Sequence, residues 1–503
     1  MQIAVDLVAE ALTQDQQIYG VNTGFGGMVG EAVRPEDASK AQTNLLSFLA
    51  TSSGDWLDQR HVRTAMILRA HVLAQGCSGV RFEIVNRLLR FLEANALPRV
   101  REHGSIGASG DLVPLSAIAR AITGHPHVEV KWQGEACESS FVLNELGFTP
   151  LELLPKEGLA IVNGTSFSSA IAAHAVYETR HLFACTLAVQ AIFLNALDAH
   201  QDPFSDFVHQ KKPHPGQVWV AETMRSLFGR PAQNRNGDSL PVQDRYSVRC
   251  LPQYLGPLAD SLQRVRSVVE TEMNAVSDNP LVDPDTGRFY QSGNFLGQGL
   301  SLAMDDLRRD IGLLAKHLDV QIATLVSPEF SGDLPASLRG NSELPYNMGM
   351  KGLQITGNSL MPLLSWYGNP IVAHFPTHAE QFNQNVNGLS WESANLGWKS
   401  VAIFRRYLSV ATLFAIQAID LRAHKTLNHF DGRALLSPQL QRFYEVVMET
   451  LDGQSTKESP FLFNDGDRWL EQDLAKIEQS LESAGELWQV LLPIVNSFDQ
   501  QSS

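Results

Sequence analysis

Two segments, residues 166–199 and 399–425, hold neither proline nor glycine and are apolar on nearly every helical face. A helix of that kind has no side it can turn to water, so it has to lie inside a bundle of other helices. Similar periodicity recurs near 59–75, 81–96, 255–278, 298–326 and 467–492, which predicts an all-α chain with a long central helical bundle. Only HVEVKWQGEAC (127–137) alternates with period two, with Val128, Val130 and Trp132 on one side ahead of a Gln-Gly turn, so one small hairpin at most is expected. In 166–199, Glu178, Arg180 and His181 fall mid-segment, which argues against a membrane span. No repeat or low-complexity linker breaks the chain. The regions expected are an N-terminal one over 1–155, a central bundle over 156–425 and a C-terminal helical region over 426–503.

Charge and cysteine content narrow the partners. A net charge of −15 disfavours nucleic acid or an anionic membrane as the main partner. Charged residues make up 18% of the chain, against roughly 25% in ordinary globular proteins, so much surface is expected to be hidden between subunits. Cys77, Cys137, Cys185 and Cys250 are far apart and form no C-x-x-C pair; this fits a reducing cytoplasm better than a disulfide framework or a zinc knuckle. The opening MQIAVDLVAEAL carries Asp6 and Glu10 and no basic residue ahead of its apolar run, unlike a secretory signal.

The common catalytic signatures are absent. GFGGMVG (24–30) lacks the preceding strand of a dinucleotide fingerprint, and there is no phosphate loop, H-E-x-x-H or G-x-S-x-G. His209 and His214 stand in a polar loop with no carboxylate at ligand spacing, as surface histidines do. The glycine-rich loops at 19–30, 103–111, 157–166, 286–297 and 331–358 are the places for function. GSIGASGDLVPL (104–115) stands out, with glycines at 104, 107 and 110 running straight into an apolar stretch. It is accompanied by YGVNTGFGG (19–27), VNGTS (162–166), QDRYSVRCLPQYLG (243–256), SDNPLV (277–282), SGNFLGQ (292–298) and HAEQFNQN (378–385).

These segments, in this order, resemble the aromatic amino acid ammonia-lyases: the histidine, tyrosine and phenylalanine ammonia-lyases and the related aminomutases. The resemblance runs from about Tyr19 over most of the chain and is nearest to the short bacterial phenylalanine ammonia-lyases. It implies the all-α, fumarase/aspartase-like bundle and a homotetramer whose active sites combine residues of three chains. It also implies an electrophile, a 4-methylidene-imidazol-5-one, that the chain makes from Ala108, Ser109 and Gly110 with no metal or external cofactor. Glycine suits the attacking position because no β-carbon blocks a strained turn.

By the same resemblance Tyr19 is the base and Tyr246 a catalytic neighbour of the electrophile, while Arg249 holds the substrate carboxylate with its planar fork of donors. Asn163 and Gln243 are implied beside the electrophile and substrate, and Asn294, Phe295, Lys351, Glu380 and Gln384 near the pocket. Phe48 and Leu49, with Leu112, are implied at the aryl end; where tyrosine- and histidine-selective relatives carry histidine this chain has Phe48, and the amide Gln384 stands near where histidine-selective members present an acid. Ser47 and Val162 are smaller than their counterparts, which predicts a roomier pocket. The chain starts eighteen residues before Tyr19, short of the family's usual first strand and helix, which puts the order of the 19–30 loop in question.

The expected activity is elimination of ammonia from L-phenylalanine to trans-cinnamate in the cytoplasm. A phenylalanine 2,3-aminomutase or a tyrosine ammonia-lyase is the alternative, and a helical scaffold without chemistry is disfavoured by the intact Ala108-Ser109-Gly110 with Tyr19 and Arg249.

Overall fold

A computed structural model describes residues 1–14, 16–228, 242–374, 378–453 and 456–500. The expected helices are present as Gln59–Ala74, Phe82–Glu93, Ser166–Ala196, Leu251–Asn274, Gln298–Leu325 and Ser390–Leu427. The last is 38 residues long and the one helix among the described residues apolar and long enough to cross a membrane, but 89% of its apolar window is buried inside the protein. Ser166–Ala196 is likewise a core helix, with Cys185, Leu187, Val189, Ile192, Phe193 and Leu194 fully buried.

The expected helix over 467–492 is two, Leu470–Ser480 and Glu486–Asp499. Ala484 takes a left-handed conformation, and a β-carbon on Gly485 would meet the Ser480 carbonyl oxygen at 2.2 Å, so the chain must turn there. Apolar periodicity runs through this turn because both helices bury the same kind of face.

The chain divides into two compact units. One comprises Met1–Ala175, Arg266–Asp305 and Pro370–Trp398; the other comprises Val176–Val265, Asp306–Asn369 and Lys399–Ser503. The first unit holds the β-structure. The expected hairpin pairs Glu129–Trp132 with Glu135–Glu138 across Gln133 and Gly134, both at positive φ, the geometry a two-residue hairpin needs. It is not alone: Leu97–Pro98 adds a third strand, Ser53–Trp56 pairs with Arg101–His103, and Leu281–Val282 pairs with Phe289–Tyr290. Strands of two to four residues carry too little alternation to read in sequence.

In the same unit the helix Gln2–Thr13 turns Ala4, Val8 and Ala11 against Ile18, Val21 and Val282. That apolar cluster anchors the chain as it enters the 19–30 loop. The second unit is helical around Tyr407, whose hydroxyl donates to Asp319 at 3.0 Å, and Tyr444, whose hydroxyl donates to Asp420 at 2.7 Å. Each phenol is buried with its one polar atom paired.

Candidate active site

The 104–110 loop joins the strand Arg101–His103 to the helix Leu112–Thr123 and is folded around one hydroxyl. Ser105 Oγ donates to the Gly110 carbonyl and accepts from the Gly107 amide, both at 3.1 Å. Gly110 has φ +67°, and a β-carbon there would lie 2.2 Å from the Gly164 carbonyl oxygen, which already accepts from the Asp111 amide at 2.7 Å. Only glycine fits between these backbones. Ala108 is buried beside it, and Ser109 Oγ accepts from Gln384 Nε2 at 2.9 Å.

Directly after the tripeptide, the fully buried Asp111 carboxylate accepts from the Ser168 amide at 2.8 Å and the Ser168 hydroxyl at 2.5 Å, capping the first turn of Ser166–Ala196. Burial, helped by the charge of Glu272, pushes its pKa up to about 6 against these hydrogen bonds.

A cavity of about 480 Å³, within the range of small-molecule sites, opens at Ser109. Of the residues expected from sequence, Tyr19, Phe48, Ala108, Ser109, Leu112, Asn163, Phe295, Glu380 and Gln384 line it. The Tyr19 hydroxyl accepts from the Gly26 amide at 2.9 Å. Burial raises the Tyr19 pKa above that of a free phenol and the Glu380 charge adds to the rise, while the Gly26 amide opposes it. Gly26, at φ +57°, lies so near Glu380 that a β-carbon would meet its carboxylate oxygen at 2.3 Å. The 19–30 loop is thus packed on the 380–382 turn as well as following the Gln2–Thr13 helix.

Several expected residues stand elsewhere. Leu49 is 5% exposed and does not line the cavity; Leu45, one helical turn before Phe48, takes that place. Asn294 Nδ2 reaches the Val276 carbonyl at 3.4 Å. Ser47 and Val162 are not among the lining residues: Ser47 Oγ lies 3.0 Å from His125 Nε2, and Val162 is wholly buried. Gln243, Tyr246, Arg249 and Lys351 belong to the other compact unit and are not among the lining residues. Tyr246 is 72% exposed with the Arg249 guanidinium 4.5 Å over its ring, and Arg249 Nε is buried with no hydrogen-bond partner among the described residues. Lys351 is exposed at the start of Lys351–Tyr367.

Sequence reasoning missed Leu45, Leu159, Asn279, Gln291, Ser292, Asn383 and Val386. Asn279 and Ser292 fall in motifs already singled out, and Leu45 shares a helix face with Phe48, so those signals were present. It also missed Gln42, fully buried, which donates to the Gly20 carbonyl at 2.8 Å and accepts from the Leu159 amide at 3.0 Å. Nothing in the sequence marks one glutamine on a helix as the tie behind the Tyr19 loop.

Residues 1–449 match the model of the aromatic amino acid lyase family. The chain is 46% identical over 507 aligned residues to a phenylalanine ammonia-lyase of Nostoc punctiforme, covering 99% of this chain and 89% of that one. It is 38% identical to an aromatic ammonia-lyase of Loktanella atrilutea, covering 98% and 92%. Among solved structures, the histidine ammonia-lyase of Trypanosoma cruzi superposes with a TM-score of 0.85 at 28% identity, over 100% of this chain and 91% of that one.

Proposed function

This chain belongs to the aromatic amino acid lyase family, and on that premise we propose that it is a phenylalanine ammonia-lyase, converting L-phenylalanine to trans-cinnamate and ammonia. The observation that carries the reading is one cavity bordered by Ser109, by the Tyr19 hydroxyl and by the apolar surfaces of Phe48, Leu45 and Leu112.

The residues fit a ring built from Ala108, Ser109 and Gly110. In the proposed closure the Gly110 nitrogen bonds to the Ala108 carbonyl carbon, and two waters leave, one with the Ala108 oxygen and one with the Ser109 hydroxyl. The close approach of Gly110 to Gly164 and the bond from Gln384 to Ser109 favour a bent, immobilised tripeptide. Asn163, in the cavity wall, has a buried Oδ1 with no partner among the described residues. Once formed, the ring supplies an electrophilic alkene that makes the amine a better leaving group.

Tyr19 takes the β-proton, which requires its phenol to ionise in a half-buried setting. Phe48, with Leu45, holds the aryl ring and offers a para hydroxyl no partner. Gln243, Tyr246, Arg249 and Lys351 serve a cavity of another copy in a homotetramer with shared sites, where the Arg249 fork holds the substrate carboxylate. A cytoplasmic location is part of this reading, resting on the wide spacing of Cys77, Cys137, Cys185 and Cys250.

The test joins mass to product. The purified protein should weigh two waters less than its sequence, and Ser109→Ala should fold, keep its full mass and lose nearly all turnover. With L-phenylalanine, cinnamate and ammonium should form; β-phenylalanine as main product would make the enzyme the 2,3-aminomutase, and faster turnover of tyrosine would make it a tyrosine lyase. An unmodified wild-type mass would overturn the mechanism.

A further inference from the structure

The deepest charges near the cavity are not in its wall. Lys156 and Asp278 are both fully buried, and Lys156 Nζ donates to Asp278 Oδ2 at 2.8 Å. Burial lowers the Lys156 pKa while the Asp278 carboxylate opposes this. Lys156 immediately precedes the short helix Glu157–Val162, and Asn163 immediately follows it. One carboxylate therefore reaches both ends: Asp278 Oδ1 accepts from the Asn279 amide at 2.7 Å and from Asn163 Nδ2 at 3.4 Å.

The Asn163 side chain has a second neighbour of the same kind, the Asn279 carbonyl oxygen, 3.0 Å from Nδ2. A carbonyl and a carboxylate can only accept, so chemistry forces the amide nitrogen to this side and the amide oxygen to the other. That oxygen, Oδ1, is buried and has no partner among the described residues, in a residue that lines the cavity. A buried acceptor left bare costs free energy unless a ligand donates to it.

Building on the lyase reading, we propose that Lys156 and Asp278 are positioning residues that lock the Asn163 amide with its oxygen as the acceptor for the amino group of the substrate. The amino group is the one donor an aromatic amino acid carries that its deaminated product lacks. A neutral amide oxygen accepts from it whether it is ammonium or free amine, so the contact survives the proton loss that elimination requires. The Asp278 carboxylate, held by Lys156 Nζ at 2.8 Å with both side chains out of water, is a pure acceptor. An amide or a protonated carboxyl at 278 could donate instead, and the Asn163 amide would be free to turn over.

The experiment is a pair of binding measurements in the non-reacting Ser109→Ala protein, which keeps the full chain and its assembly. Titration calorimetry with L-phenylalanine and with 3-phenylpropanoate, which lacks only the amine, is repeated after adding Asp278→Asn. The expected result is a loss of 10-fold or more for L-phenylalanine and less than 2-fold for 3-phenylpropanoate. Because Asp278→Asn leaves a lone buried lysine, the double change Lys156→Met with Asp278→Asn, which leaves no unpaired charge, is measured beside it and should show the same selective loss. Equal weakening of both ligands would make the pair merely structural, and unchanged affinity for both would leave Asn163 unaffected; either result overturns the proposal. The lyase reading fails separately, on a wild-type mass without the two-water loss, since these affinities do not involve the ring.

Discussion

Gln384 Nε2 donates to Ser109 Oγ at 2.9 Å across 275 residues of sequence. The 378–385 segment therefore does two things at once: its amide holds the central residue of the tripeptide, and its Glu380 lies against Gly26, whose amide bonds Tyr19. Tyr19 and Ser109 are registered to one another through a single turn of chain.

The pH dependence of turnover should follow from that turn. Burial first, and the Glu380 charge second, hold the Tyr19 phenol above its usual pKa, so the tyrosinate fraction and kcat/KM should rise with pH through the neutral and alkaline range. Glu380→Gln removes the charge contribution and should move the rising limb to lower pH, whereas Tyr19→Phe should cut turnover by about 10²-fold or more with the two-water mass loss intact. A pH–rate profile of the three proteins checks this; an unmoved limb in Glu380→Gln would separate the two residues.

Arg249 is outside the cavity of its own chain's lining residues, and complementation should reveal whose cavity it serves. Tyr19→Phe and Arg249→Ala should each be nearly inactive. Unfolded together and refolded as mixed oligomers, they should regain activity, because some sites would then combine an intact Tyr19 from one chain with an intact Arg249 from another. Mixtures that stay as inactive as the parents would place both groups in one chain's site.

Phe48, 47% exposed at the end of the helix Ala38–Phe48, borders the cavity with no polar atom to offer. A tyrosine hydroxyl left dry there costs roughly 1–3 kcal/mol, so phenylalanine should be preferred. Phe48→His supplies a ring nitrogen and should shift the ratio of kcat/KM values toward tyrosine by about 10-fold or more. Competition between the two substrates measures the ratio directly, and a ratio that stays put would move selectivity elsewhere in the wall.

Asp111 should make the protein's stability depend on pH in a recognisable direction. Its folded pKa, about 6, is above the ordinary 3.8, so the buried carboxyl is better tolerated neutral than charged. Its contribution to stability is complete below pH 3.8 and is lost as pH rises through 6; the nearby Arg69 cation, which feels the Asp111 charge, limits the loss. Asp111→Asn keeps an acceptor for Ser168 without the titration. Its stability relative to wild type should therefore grow between pH 4 and 7, by about 2–3 kcal/mol at most. Denaturant midpoints for both proteins across that range test the sign.

The all-α class, most of the long helices, the hairpin and the glycine-rich loops that border the cavity were legible because each depends on neighbours in sequence. Periodicity marks the helices, a Gln-Gly turn marks the hairpin, and the three glycines of 104–110 mark a tight loop running into a helix. Tertiary structure alone decided that the apolar 467–492 run breaks at Ala484–Gly485, that Leu45 rather than Leu49 borders the cavity, and that Gln42 ties Gly20 to Leu159. It also decided which way the Asn163 amide faces, since that depends on Asp278 and Asn279, more than a hundred residues away. Sequence records what each residue can donate, accept or bury. Which of those capacities is satisfied, and which is left open for a ligand, is fixed only when distant segments pack.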